Sequence, residues 1–187
     1  MNLLALLSLF LTTAFVIMYG NAGSGWCLTW AITFGTISYH LVIRLFVGAV
    51  INLLMHNHVD YRKKWFQTNA VEERLYRILK VKQWKGKMGT YDPDCFDYRK
   101  HSWHEIAQAT CQAELVHELI ILLSFLPIFA SIPFGALPVF AITSVFAASY
   151  DAMFVVMQRY NRPRIIKLVE HSEKSTRKST EHNDNHP

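Results

Sequence analysis

Apolar residues gather in long blocks along this chain, and the charges fall between the blocks. No Asp, Glu, Lys or Arg occurs from Leu3 to Tyr19, from Gly25 to Ile43, or from Leu119 to Tyr150. Apolar runs of about 18 or more residues are read as membrane helices, because about 20 residues at roughly 1.5 Å each cross the hydrocarbon layer. The pattern predicts an all-α membrane protein with about four transmembrane helices, a basic amphipathic cytoplasmic segment and a disordered C-terminal tail. In domain terms, a polytopic membrane domain fills 1–170 and the tail fills 171–187.

The first span is expected over 3–19, ending in the turn-forming run from Gly20 to Gly25. A cleaved signal peptide is the rival reading. The usual basic n-region is missing, and Asn21-Ala22-Gly23 is a mediocre cleavage signal, so the retained helix is favoured. The second span, 26–54, exceeds what a bilayer needs, so it tilts or continues into the interface. Trp26 and Trp30 suit the interfacial aromatic belt. Pro127 and the run from Ser131 to Gly135 divide the last apolar block. Two helices fit there, over 114–130 and 134–156, packed as a tight hairpin. The first arm is short, which leaves a full crossing and a re-entrant pair both open.

Charge then assigns the sides. The formal net charge is +5, from 19 Lys and Arg against 14 Asp and Glu. Apart from Arg44, every Lys and Arg lies between Arg62 and Lys100 or from Arg159 onward. The short connections on the other side carry none. The positive-inside rule therefore places 56–112 and the C-terminus in the cytoplasm, in a multi-pass protein of the inner, cytoplasmic membrane. An anionic membrane surface accounts for the basic charge, so membrane lipid is the expected partner and nucleic acid is not. Cys27, Cys95 and Cys111 are odd in number and lack CxxC spacing, which supports neither a disulfide framework nor a zinc site. No metal is expected.

The middle segment is more than a linker. Val71, Leu75, Ile78 and Leu79 recur at helical spacing among basic residues, as in an amphipathic helix lying on the cytoplasmic leaflet. Gly86, Gly89 and Asp92-Pro93-Asp94 mark turns. From His171 to Pro187 the chain is polar and free of large apolar residues, the composition of a disordered tail.

Ionisable groups at membrane depth are costly and usually face a partner or a cavity. His40 and Arg44 share one face of the second span and are candidates for holding an anionic headgroup or a carbonyl. The plainer reading is an arginine snorkelling to the interface beside a packed histidine. Glu114 and His117 open the third span on one face. A carboxylate beside an imidazole fixes its tautomer and raises its basicity, which suits a general base. Acids near a helix N-terminus also simply suit the helix dipole. Asp151 either pairs with Arg159 or Arg44 or marks the interface. The run from Gln158 to Arg164 is dense in arginine, and guanidinium forks suit phosphate and carboxylate. Arg159, Tyr160, Asn161 and Arg162 are therefore candidate binding residues. A positive-inside stop explains the charges of that run but not its Tyr-Asn pair. The chain has no Gly-x-Ser-x-Gly elbow, P-loop, HExxH or dinucleotide fingerprint.

The run Gln158-Arg159-Tyr160-Asn161-Arg162-Pro163-Arg164 resembles a signature of the glycosyl-4,4'-diaponeurosporenoate acyltransferase family. Ala113-Glu114-Leu115-Val116-His117 resembles that family's Glu-Leu-aliphatic-His at the start of a membrane span. Val81-Lys82-Gln83-Trp84-Lys85-Gly86-Lys87 is similar to its basic Lys-Trp-Lys segment. The resemblance covers roughly Trp65 to Leu168. It implies a membrane acyltransferase. In staphylococcal carotenoid synthesis such an enzyme attaches a fatty acyl chain to a glucose hydroxyl of a glycosylated carotenoid acid, giving staphyloxanthin. No cofactor is implied; an acyl donor such as an acyl thioester is the co-substrate, and the acceptor is lipid-like.

On that reading His117 deprotonates a sugar hydroxyl and Glu114 orients its ring. Arg159, Asn161 and Arg162 hold a donor phosphate or stabilise the oxyanion. Two rivals remain open. A small membrane methyltransferase or reductase would need a nucleotide-cofactor pocket. A non-enzymatic scaffold or lipid-binding subunit would need only the amphipathic segment.

Overall fold

In the computed structural model, residues 2–89 and 93–184 are described, with side chains to 178. Secondary structure among the described residues is helical throughout. The long helices are α1 (Asn2–Ala22), α2 (Gly25–Met55), α5 (Trp103–Leu123) and α7 (Leu137–Asp184), with short α3 (Ala70–Ile78), α4 (Val81–Trp84) and α6 (Ser131–Phe134). Among the described residues four helical stretches are long and apolar enough to cross a membrane. The all-α membrane class expected from the apolar blocks is what the chain forms.

The chain divides into two units: Met1–Leu53 with Val116–Ala152, and Leu54–Leu115 with Met153–Pro187. The divisions fall within α2, α5 and α7.

In the first unit α1 and α2 pair as a hairpin turned at Gly23, whose φ of +60° suits a residue without a Cβ. Between membrane helices, close approach of small residues and shared hydroxyls replaces the hydrophobic drive. Ser38 donates to the Ser8 hydroxyl at 3.0 Å, and the Thr12 hydroxyl lies 3.4 Å from Ser38 Oγ. Nearer the turn Phe15 stacks on Trp30 and Phe34, with centroids at 6.1 and 5.7 Å. Most large apolar side chains of α1 remain exposed, as lipid-facing positions should. The Tyr39 hydroxyl donates to the Leu123 carbonyl at 2.8 Å, satisfying a carbonyl at the end of α5. Beyond that end the chain tightens into a 3-10 turn over Leu126–Ala130 with Pro127 at its start. Gly135 and Ala136, both at positive φ, then turn it into α7.

In the second unit Val59, Tyr61, Phe66, Ala107, Cys111 and Val169 form the buried core. The third long helix starts at Trp103 rather than near residue 114, so 103–112 belongs to it and not to the connecting segment. The cause is a capping box. The Glu105 N–H meets the Ser102 hydroxyl at 3.3 Å, and the Glu105 carboxylate accepts from the Ser102 N–H at 2.7 Å. Asn69 caps α3 by accepting from the Glu72 N–H. The Val71, Leu75, Ile78 and Leu79 side chains stay exposed while Tyr76 is buried. Pro93 and Asp94 lead into a 3-10 turn, Asp94–Phe96, whereas Asp92 lies outside the described residues.

The last helix corrects two expectations. It does not end near residue 156, and the stretch expected to be a disordered tail continues it as far as Asp184. Residues 185–187 lie outside the described residues. From Arg164 to His186 the sequence has neither Gly nor Pro, and Glu170/Lys174 and Glu173/Arg177 stand at the spacing of favourable helical ion pairs. Composition pointed to disorder because nothing apolar is buried there, but a preformed helix can propagate without burial. Pro163 sits inside this helix and cannot donate to the carbonyl one turn back, that of Arg159. The Thr68 hydroxyl takes that carbonyl instead, at 3.3 Å.

Candidate acid–base site

Asp151, on α7 in the first unit, is 1% exposed at its side chain and holds two partners. Arg44 of α2 meets its Oδ2 through Nη2 at 2.6 Å and Nε at 3.1 Å. His117 of α5 places Nδ1 2.8 Å from the other oxygen, Oδ1. The arginine also reaches the Ala147 carbonyl at 3.4 Å and lies over the Tyr150 ring at 5.1 Å. A buried carboxylate needs a counter-charge and satisfied lone pairs. Arg44 supplies the first, and Arg44 and His117 together supply the second. The pairing of Asp151 with Arg44 is one of the alternatives the sequence left open.

His40 stands one turn from Arg44 on α2 and is 7% exposed. Among the described residues neither of its ring nitrogens has a hydrogen-bond partner. Its ring lies edge-to-face with that of Tyr39, with centroids at 5.4 Å. An imidazole always carries at least one N–H donor, so an orphaned buried ring is a place where a polar ligand atom would be held.

The Glu114 carboxylate does something different. It lies in the second unit, fully buried, between two arginines of α7. Arg159 donates from Nη1 at 2.6 Å, and Arg162 Nη2 pairs with the other oxygen. Arg159 also meets Glu72 from Nε and Nη2, and the carbonyls of Trp65 and Gln67. Arg162 donates to the Thr110 hydroxyl and carbonyl and to the Phe66 carbonyl, and lies over the Phe66 ring at 5.1 Å. The Tyr76 phenol donates to Glu72 at 3.2 Å; burial first, then the Glu72 charge, pushes its pKa up to about 12.

The expected sequence partnership is therefore redistributed. The carboxylate that meets His117 Nδ1 belongs to Asp151, while Glu114 binds the two arginines. Those arginines direct their donors at protein acceptors, forming a strut that ties α7 to α5 and the 65–67 turn. Tyr160 and Asn161 meet a different cation, Lys85, whose Nζ bonds the Asn161 carbonyl oxygen at 2.5 Å. Sequence reasoning missed Glu72, Thr68, Thr110 and Lys85 as partners of this run. Only Lys85, within the basic Lys-Trp-Lys segment, had a signal. Among the described residues His, Cys, Asp and Glu form no group of three or more suited to a metal.

The fold and this site define a polytopic helical membrane protein with a charge-neutralised Asp–His pair in its apolar unit. Residues 62–171, more than half of the chain, match the family of glycosyl-4,4'-diaponeurosporenoate acyltransferases, and the chain belongs to that family. The matched segment carries Glu114, His117, Asp151 and the arginine run, and stops short of His40 and Arg44. No curated protein matches the chain, and no solved structure does.

Proposed function

We propose that the chain transfers a fatty acyl group from a thioester donor to a hydroxyl of a glycosylated carotenoid or related glycolipid, with His117 as the general base. The contact of His117 Nδ1 with Asp151, itself neutralised by Arg44, carries this reading. A carboxylate accepting from Nδ1–H leaves the lone pair on Nε2, the nitrogen that takes the proton. The hydroxyl oxygen attacks the acyl carbonyl carbon as its proton passes to Nε2. The tetrahedral intermediate collapses with cleavage of the C–S bond, and the imidazolium returns the proton to the leaving thiolate. Asp151 orients the ring and offsets the imidazolium charge, the role the sequence had suggested for Glu114. His40 offers its N–H to the acyl carbonyl or to a sugar oxygen. Family membership supports the reaction class, and an apolar unit suits both acyl chain and polyene.

The distribution of Lys and Arg supports a cytoplasmic location for the middle segment and C-terminus, in the cytoplasmic membrane. The test uses the full chain in nanodiscs, with an acyl thioester and a glycosylated carotenoid or glycolipid, read by mass spectrometry. His117→Ala and Asp151→Asn should each lower turnover by about 10²–10⁴-fold, the usual contribution of a positioned base. Undiminished turnover in His117→Ala would exclude the assignment. A scaffold without catalysis predicts no acyl product from wild type under any supplied acceptor.

A further inference from the structure

We propose that Lys85 and Arg164, gathered around Tyr160 and Asn161 in the second unit, form a binding site for a phosphate group. The inference does not depend on acyl transfer. It rests on how these cations are partnered. Lys85 Nζ bonds a neutral amide, that of Asn161, and lies 4.8 Å from the centroid of the Tyr160 ring. Arg164 lies over the same ring at 5.3 Å and meets its hydroxyl at 3.4 Å. Neither contact brings a negative charge. Among the described residues burial first, then the charges of Arg164 and Lys82, push the Lys85 pKa down.

The other two arginines of the same run are matched by acids. Arg159 meets Glu72 and Glu114, and Arg162 meets Glu114. Against that, like charges held around one aromatic ring by a half-buried lysine are an unfavourable arrangement until an anion enters. The groups suit a phosphate. An ammonium and a guanidinium both donate to its oxygens, and a phenol hydroxyl adds a neutral donor. The pair Tyr160-Asn161 acquires a reason here that a simple positive-inside stop did not give. Asn161 holds the lysine in place, and Tyr160 is the surface on which both cations rest. Two sources carry the required chemistry: a soluble acyl donor bearing phosphates, and the headgroup of an anionic phospholipid.

The experiment uses the full chain in nanodiscs and has two arms. In the first, nanodiscs of phosphatidylcholine alone are titrated with coenzyme A by calorimetry. In the second, no soluble ligand is added, and phosphatidylglycerol retained from mixed nanodiscs is counted by native mass spectrometry. Removing one charge-assisted partner should weaken binding about tenfold, so Lys85→Gln with Arg164→Gln should abolish the effect in whichever arm is the true source. Lys85→Arg with Arg164→Lys keeps both charges and should stay within a few-fold of wild type. Loss confined to the first arm identifies a soluble phosphate, and loss confined to the second a headgroup; either supports the site. The proposal is overturned if the neutral pair matches wild type in both arms. It is equally overturned if the charge-keeping pair falls as far as the neutral one, or if the exposed control Lys63→Gln with Lys174→Gln does so.

Discussion

Glu114→Gln isolates the arginine strut. The wild-type carboxylate and Arg162 are both 0% exposed at their side chains, and Arg159 is 15% exposed. The substitution keeps the side chain's size and one acceptor oxygen but removes the charge. Arg159 loses little, because Glu72 still meets it from two nitrogens. Among the described residues Arg162 meets no second carboxylate; what remains to it is the Thr110 hydroxyl and carbonyl and the Phe66 carbonyl. A buried guanidinium without its counter-charge typically costs about 3–5 kcal/mol. At about 1.4 kcal/mol per tenfold, that is between about a hundredfold and a few thousandfold in the opening equilibrium. Amide hydrogen exchange of 103–115 in nanodiscs reads this directly, since the strut binds that part of α5. Adding Arg162→Met to Glu114→Gln should recover most of the protection, because the orphaned charge goes with the arginine. Wild-type exchange in the single variant, or a double variant whose loss is the plain sum of the two single losses, would refute the reasoning.

Three further outcomes follow from the packing. Ser38→Ala removes the bond to Ser8 between α1 and α2 and should cost about 0.6–1.7 kcal/mol in unfolding measured in the same nanodiscs; an equal cost from Ser38→Ala in a Ser8→Ala background would sink the attribution. Ser102→Ala breaks the capping box and should destabilise the start of α5 by about 1 kcal/mol, seen as faster exchange over 103–107; Glu105→Ala added to it should change little more. Leu75→Asp with Ile78→Asp removes most of the uncovered apolar stripe of α3 and should speed exchange over 70–78 by about tenfold or more if that stripe lies in the lipid interface; unchanged exchange would mean that the leaflet does not cover it.

The apolar blocks made the fold legible because membrane helices announce themselves by length. α1 and α2 fall within a few residues of their expected bounds for that reason. Hydropathy says less about where a helix stops once it leaves the apolar layer. The start of α5 was set by the local exchange of bonds between Ser102 and Glu105, visible in Ser-x-x-Glu but overshadowed by the apolar edge near residue 114. The far end of α7 was set by backbone propensity in a stretch with nothing to bury. A composition rule built on burial reads such a stretch as disorder, although an existing helix extends through it at little cost.

The site was legible as a set of residues and not as a set of pairs, and the difference is physical. Helical spacing states which side chains of one helix share a face, so it brought Glu114 and His117 together. It cannot state which charges the neighbouring helices present. α7 supplies an acid at 151 and bases at 159 and 162, and charge decides the sorting: the imidazole meets Asp151, and Glu114 meets the guanidiniums. A Glu114 carboxylate committed to two guanidiniums is poorly placed to accept the Nδ1 proton of a histidine as well. Asp151, with one oxygen bound by Arg44, keeps its other oxygen for that purpose. The same sorting releases Tyr160 and Asn161 from the strut. Their side chains face Lys85 and Arg164, so the run that looked like one anion-binding motif divides into a structural half and a half whose positive charges meet no acid among the described residues.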